Sequence, residues 1–206
     1  MLTAFTAGLL LITVSELGDK TFFIAAILSM QHSRRLVFTG AIAALAAMTM
    51  ISVIVGQAAS ILPKIYIYYA EIVLFLGFGI KLLYDAYQMP ASSCDTEVIE
   101  EAQATVKEAD KQLLRRKSYS SIVLQAFVLT FMAEWGDRTQ IATIALAAGN
   151  NPIGVTTGAI LGHAICAAIA VMCGKMLAGK ISERKLTFIG GCLFLIFGVV
   201  AAVEGT

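Results

Sequence analysis

Residues 140 to 174 contain no Asp, Glu, Lys or Arg, and the same holds for residues 1 to 15, 22 to 33 and 118 to 133. Apolar runs on this scale suit the roughly 20 residues with which a helix crosses the hydrocarbon core of a bilayer. Yet a short charged motif interrupts them twice. Ser15-Glu16-Leu17-Gly18-Asp19-Lys20-Thr21 divides the first pair of runs and Ala133-Glu134-Trp135-Gly136-Asp137-Arg138-Thr139 the second, both reading E-x-G-D-K/R-T. An ionised side chain at mid-bilayer costs roughly 2.5 to 3.5 kcal/mol on insertion scales. Three in each motif are therefore kept for a use.

With 58% hydrophobic residues, 14% charged and a mean hydropathy of +0.82, against about 25% charged in soluble domains, the chain reads as an all-α integral membrane protein. A net charge of +1 and the lack of a basic-aromatic patch give no sign of a nucleic-acid partner. Apolar runs place six transmembrane helices near 3-28, 36-60, 65-88, 119-147, 153-177 and 186-204. No Lys or Arg precedes Lys20, so residues 3-28 are expected to be a first span rather than a cleaved signal. Cys94, Cys166, Cys173 and Cys192 show no C-x-x-C spacing and read as packing residues.

Basic residues are one-sided. Arg34 and Arg35 after the first span, Lys81, Lys107, Lys111, Arg115, Arg116 and Lys117 around the third connection, and Lys175, Lys180, Arg184 and Lys185 at the fifth share one face; only Lys64 lies on the other. By the positive-inside rule the first face is cytoplasmic and both termini are non-cytoplasmic. Residues 89-117 form the one sizeable polar segment. Val98, Ile99, Ala102, Val106, Ala109, Leu113 and Leu114 recur at helical spacing. Asp95, Glu97, Glu100 and Glu101 lead, and the basic residues trail, as the helix dipole and an anionic inner leaflet favour. The segment reads as a charged cytoplasmic linker helix tethering 1-88 to 118-206.

Those flanking units repeat. A shift of 118 carries Glu16 to Glu134, Thr39-Gly40-Ala41-Ile42 to Thr157-Gly158-Ala159-Ile160 and Gly56 to Gly174. A shift of 119 carries Leu74-Phe75-Leu76 to Leu193-Phe194-Leu195, Gly79 to Gly198 and Asp85 to Glu204. Three spans per unit is odd, so the second unit starts from the opposite side. The expected architecture is two inverted three-helix repeats, with binding at their midplane interface.

On an uninterrupted helix Glu16 and Asp19 are i,i+3 neighbours on one face, as are Glu134 and Asp137. Thr21 and Thr139 add hydroxyl oxygens, and Gly18 and Gly136 permit close helix approach or a local unwinding that frees carbonyls. These hard oxygens suit Ca²⁺, Mn²⁺ or Mg²⁺ rather than Cu⁺ or Zn²⁺. A structural use competes, because Glu16 with Lys20 and Glu134 with Arg138 are i,i+4 pairs able to glue helices. Each motif nevertheless holds two acids and one base, leaving two negative charges that a divalent cation would balance. The expected metal residues are Glu16, Asp19, Glu134 and Asp137. Lys20 and Arg138 would tune or latch the site, with Gly18, Thr21, Gly136, Thr139 and Gln140 supporting it. Protons and a cation compete for the same carboxylates, so cation/proton antiport by alternating access is the expected activity. The alternative cargo is a small organic cation or basic amino acid held by its ammonium group. A channel needs no such paired site, and the H-E-x-x-H of a metalloprotease is missing, so neither a catalytic residue nor a resident cofactor is expected.

The paired motifs, six spans in two halves and the charged central loop resemble the Gdt-type family of calcium and manganese cation/proton antiporters, and look most like the manganese exporters of cyanobacteria and chloroplasts. The resemblance covers essentially the whole chain, and neither motif departs from the pattern. It implies Mn²⁺ or Ca²⁺ leaving the cytoplasm in exchange for protons across a bacterial plasma membrane or thylakoid membrane, with Glu16, Asp19, Glu134 and Asp137 as the working acids.

Other polar residues carry less. Gln57 and Gln140 fit either a lining of the pathway or an interhelix hydrogen bond, and His163, whose repeat counterpart is Leu45, reads as a packed histidine rather than a proton relay. Thr39, Gly40, Thr157 and Gly158 mark close packing. Asp85 and Glu204 sit at span ends, where interfacial exposure suffices.

Overall fold

The computed structural model describes residues 1–89, 96–113, 119–177 and 183–204. The expectations for Cys94, Asp95, Leu114, Arg115, Arg116, Lys117 and Lys180 fall outside them. The regular elements of the described residues are helices: α1 (Leu2–Glu16), α2 (Lys20–Gln31), α3 (Arg34–Ala59), α4 (Lys64–Gln88), α5 (Thr96–Leu113), α6 (Tyr119–Glu134), α7 (Arg138–Gly149), α8 (Pro152–Leu177) and α9 (Glu183–Glu204). Four stretches among them are long and apolar enough to cross a membrane: Arg34–Ala59, Lys64–Gln88, Pro152–Met172 and Arg184–Val203. Ile54, Val73, Ile80, Met132 and Met172 are exposed on the outside of the bundle, a surface that lipid solvates and water does not.

Two expected spans need correction. Residues 3-28 and 119-147 are not continuous helices; each is broken within its motif, into α1 and α2 by 17–19 and into α6 and α7 by 135–137. The cause is local. Gly18 and Gly136 adopt φ of +80° and +82°, the left-handed region that only glycine enters at little cost. Asp19 and Asp137 follow with extended backbone and start α2 and α7 as N-caps. Thus Glu16 and Asp19 are not i,i+3 neighbours on one helix, nor are Glu134 and Asp137; each motif is a hinge between two half-length helices.

The helix bounds carry the repeat into the fold. α2 and α7 cover 20–31 and 138–149, and α3 and α8 cover 34–59 and 152–177, each offset by 118 at both ends. Packing follows the same rule. α1 lies against α8 as α6 lies against α3, while α4 meets α9 and α3 meets α8. At the α4–α9 contact the equivalent residues Phe75 and Phe194 meet edge to face with centroids 5.9 Å apart, an arrangement the ring quadrupoles favour. At Gly40 an added Cβ would lie 2.7 Å from the Ala126 Cβ and against the Val123 carbonyl; at Gly158 it would strike the carbonyl of Phe5, the repeat counterpart of Val123. Small residues let these backbones touch, as in membrane helix pairs.

α5 does more than tether. Its Ala102 and Val106 are fully buried in a cluster with Phe22, Phe23 and Ile24 of α2 and Ala126 of α6. Burying one Val is worth roughly 1.5–3 kcal/mol, so the polar connector is docked onto the half-helix that follows the first motif.

Replacing Gly40 or Gly158 by Val should destabilise the protein by about 1–3 kcal/mol each, the usual cost of overpacking. Thermal unfolding in detergent would read this as a lowered midpoint, and unchanged midpoints would contradict the close approach.

Candidate metal centre

The two breaks bring the motifs face to face. Glu16 ends α1 and Glu134 ends α6, and each is only 2% exposed. One oxygen of Glu16, Oε2, accepts from the Thr21 hydroxyl at 3.3 Å; Glu134 Oε2 accepts from Thr139 at 3.4 Å. The other oxygen, Oε1, is buried without a hydrogen-bond partner in both residues. Carboxylate oxygens of Glu16, Glu134 and Asp137 lie within 4.8 Å of one another. Sealed carboxylates with unmade bonds repel each other and are costly. A divalent cation satisfies all three at once, since Mn²⁺ and Ca²⁺ take such oxygens as ligands.

Backbone geometry adds to this charge. The closing ends of α1 and α6 point carbonyl groups at the breaks, the negative end of each helix dipole. Broken helices in transporters use such ends to meet cations. Asp137 is further fixed by bonds from the Thr139 amide at 3.2 Å and hydroxyl at 3.0 Å. Gln140 braces the second hinge: its Oε1 accepts from the Gly136 amide at 2.7 Å, and its Nε2 donates to Met48 Sδ at 2.9 Å. The first motif has Phe22 at the equivalent position and so lacks this brace.

The basic residues do not pair as the i,i+4 reading expects. Lys20 Nζ lies 2.5 Å from Glu101 Oε1 on α5, and Arg138 Nη2 lies 3.9 Å from Asp19 Oδ1 of the opposite motif. With helix breaks between them, Glu16 and Lys20 no longer share a face. Neither base neutralises its own motif's buried glutamate, which leaves the inner acids available. Asp19 is the outlying acid of the four, with its side chain 26% exposed and held by Arg138.

A cavity of about 220 Å³ leads to the breaks. Ser15, Gly18, Asp19, Asp137 and Arg138 line its inner end, and Asp85, Met89 and Leu186 line it toward the ends of α4 and α9. Asp85, read as an interfacial residue at a span end, also lines this cavity. Its pairing with Glu204 in the repeat was the signal available in the sequence. Gln57 donates to the Ala147 carbonyl at 2.6 Å, the interhelix bond that was one of its two readings. Cys166 and Cys192 are free thiols.

The family model described as "Divalent cation/proton antiporter GDT1" matches residues 4–90 and 122–206. GDT1-like protein sll0615 of Synechocystis sp. is 59% identical over 98% of this chain and 97% of its own length. GDT1-like protein 3 of Oryza sativa subsp. indica is 45% identical over 95% of this chain and 72% of its own length. The Arabidopsis thaliana protein PAM71-homolog, chloroplastic, is 42% identical over 95% of this chain and 58% of its own length. No solved structure matches.

Gly136 tests the hinge without a steric complication, because nothing lies within 4 Å of an added Cβ. Gly136→Ala should cost about 1–2 kcal/mol from the left-handed backbone alone, and Gly136→Asn less. Equal thermal midpoints for Gly136→Ala and Gly136→Asn would show that the hinge does not depend on positive φ.

Proposed function

Because the chain belongs to the GDT1 family of divalent cation/proton antiporters, we propose that it exports Mn²⁺, and also Ca²⁺, from the cytoplasm in exchange for protons, through a midplane site formed by Glu16, Glu134 and Asp137 with Asp19 beside them. The observation that carries this reading is the set of three carboxylates within 4.8 Å, two of them with an unpartnered buried oxygen. Manganese as cargo rests on the resemblance to the manganese exporters of cyanobacteria and chloroplasts, as does placement in a plasma or thylakoid membrane.

In this reading α1 with α2, and α6 with α7, each form one broken span, so that residues 1-88 and 118-206 are inverted three-helix units joined by the linker. The offset helix bounds and the exchanged α1–α8 and α6–α3 contacts support it. Both termini then lie outside. On the same reading the 220 Å³ cavity, edged by Met89 and Leu186, would face the cytoplasmic side that the basic residues mark, an inward-open arrangement.

The exchange follows from shared ligands. A cation enters past Asp85 and Asp19, and its charge favours ionised Glu16, Glu134 and Asp137. Their protons leave as it binds. Once the hinges at Gly18 and Gly136 reorient the half-helices, the cation departs on the other side, and protons retake the carboxylates because three close negative charges cannot stay uncompensated. The Arg138–Asp19 contact bridges the two motifs and would open or close with that movement.

In proteoliposomes with an imposed pH gradient, Glu16→Gln, Glu134→Gln and Asp137→Asn should each reduce Mn²⁺ and Ca²⁺ flux by more than the roughly 10–100-fold that loss of an outer-shell partner costs. Asp19→Asn should have the smaller effect, as its carboxylate stands outside the three-oxygen cluster. Full flux in the Glu16→Gln/Glu134→Gln double variant would overturn the assignment.

A further inference from the structure

His163 takes no part in the exchange described above, yet it borders the two buried glutamates. It comes from the middle of α8, is 5% exposed, and its Nδ1 has no hydrogen-bond partner. A buried polar group left unpaired is destabilising, so a retained orphan calls for a partner. Two small cavities adjoin it. One, about 20 Å³, is bounded by Glu16, Thr21 and Thr130 as well as His163; the other, about 10 Å³, by Glu134, Thr139 and Thr143 as well as His163.

The two cavities are related by the repeat, Glu16 and Thr21 standing to one as Glu134 and Thr139 stand to the other. One imidazole therefore borders both motifs. Its repeat counterpart, Leu45, also borders both cavities and offers no donor. This is where the twofold likeness of the centre fails: the second unit supplies a nitrogen where the first supplies a hydrocarbon. The larger cavity has the volume of about one water, and a dehydrated divalent cation is no larger. The imidazole stands outside the mutual 4.8 Å cluster of Glu16, Glu134 and Asp137. Glu16 and Glu134 line the cavities as well as the cluster, so the cavities offer a second station adjoining the first.

We propose that His163 ligates the transported cation at the second station, through Nδ1, and that this nitrogen gives Mn²⁺ an advantage over Ca²⁺. The proposal rests on the reading of the carboxylates as the cation site. Ca²⁺ is served by six to eight oxygen ligands, whereas imidazole is a good ligand for first-row transition ions and a poor one for Ca²⁺. Without the imidazole the station keeps its carboxylate and hydroxyl oxygens, which Ca²⁺ can use and on which Mn²⁺ has lost a bond.

The test uses the full-length purified protein. With Mn²⁺ bound, pulsed electron paramagnetic resonance should detect coupling to a ¹⁴N nucleus in the wild type, and His163→Gln should lose it. In proteoliposomes His163→Leu, which installs the Leu45 side chain, should lower the Mn²⁺-to-Ca²⁺ flux ratio about tenfold, the lower end of the effects seen when metal-site partners are removed. Bound Mn²⁺ without nitrogen coupling in the wild type, or an unchanged flux ratio in His163→Leu, overturns this proposal alone. The wild-type spectrum decides the matter even where a variant fails to fold. No Mn²⁺ binding by the wild type, or binding undiminished in Glu16→Gln/Glu134→Gln, overturns the carboxylate site as well.

Discussion

Everything in this fold turns on two glutamates sealed where neither water nor lipid can solvate them. Glu16 and Glu134 are each 2% exposed, each has one oxygen bonded to a threonine and one bonded to nothing. Such an arrangement stores repulsion that a hydrophobic pair would not. It persists because the helices around it are locked by close backbone contact at Gly40 and Gly158 and by the aromatic seam between α4 and α9. The hinges complete it, since positive φ at Gly18 and Gly136 turns the chain so that a glutamate ends one half-helix and an aspartate starts the next. Packing energy thus holds in place a carboxylate cluster that is costly while its charges are uncompensated.

The likeness of the two halves is incomplete in ways that bear on function. The bases of the two motifs leave in different directions, Lys20 to Glu101 on the linker helix and Arg138 to Asp19 across the interface. Gln140 braces one hinge where Phe22 stands beside the other, and His163 faces Leu45. An alternating-access device built from inverted halves needs two states of similar energy but not of identical chemistry. The unequal residues gather around the motifs, whereas the bounds of α2 and α7 and of α3 and α8 keep the 118-residue offset at both ends.

Much of this was legible in the chain. The E-x-G-D-K/R-T duplicates drew attention to four acids, three of which the fold gathers within 4.8 Å, and the 118-residue shift recurs in the bounds of α2 and α7 and of α3 and α8. The breaks were harder, because apolar periodicity runs through 3-28 and 119-147 without a pause and a lone glycine inside a helical pattern is usually tolerated. Only the conformation of Gly18 and Gly136 distinguishes a hinge from a close contact. The pairing of Lys20 with Glu101 depended on how the linker docks, which i,i+4 spacing cannot express. The cavities that His163 and Asp85 border are likewise set by how distant helices pack, which the sequence does not express.

Proton counterflow puts the coupling of cation and proton at one site to its most direct trial. Purified protein would be reconstituted into vesicles loaded with a pH-sensitive dye, and Mn²⁺ or Ca²⁺ added outside without any imposed gradient. Cation entry should drive protons out, alkalinising the lumen in proportion to the cation taken up, and the Glu16→Gln/Glu134→Gln variant should show neither movement. Cation entry with no change in luminal pH would contradict the account.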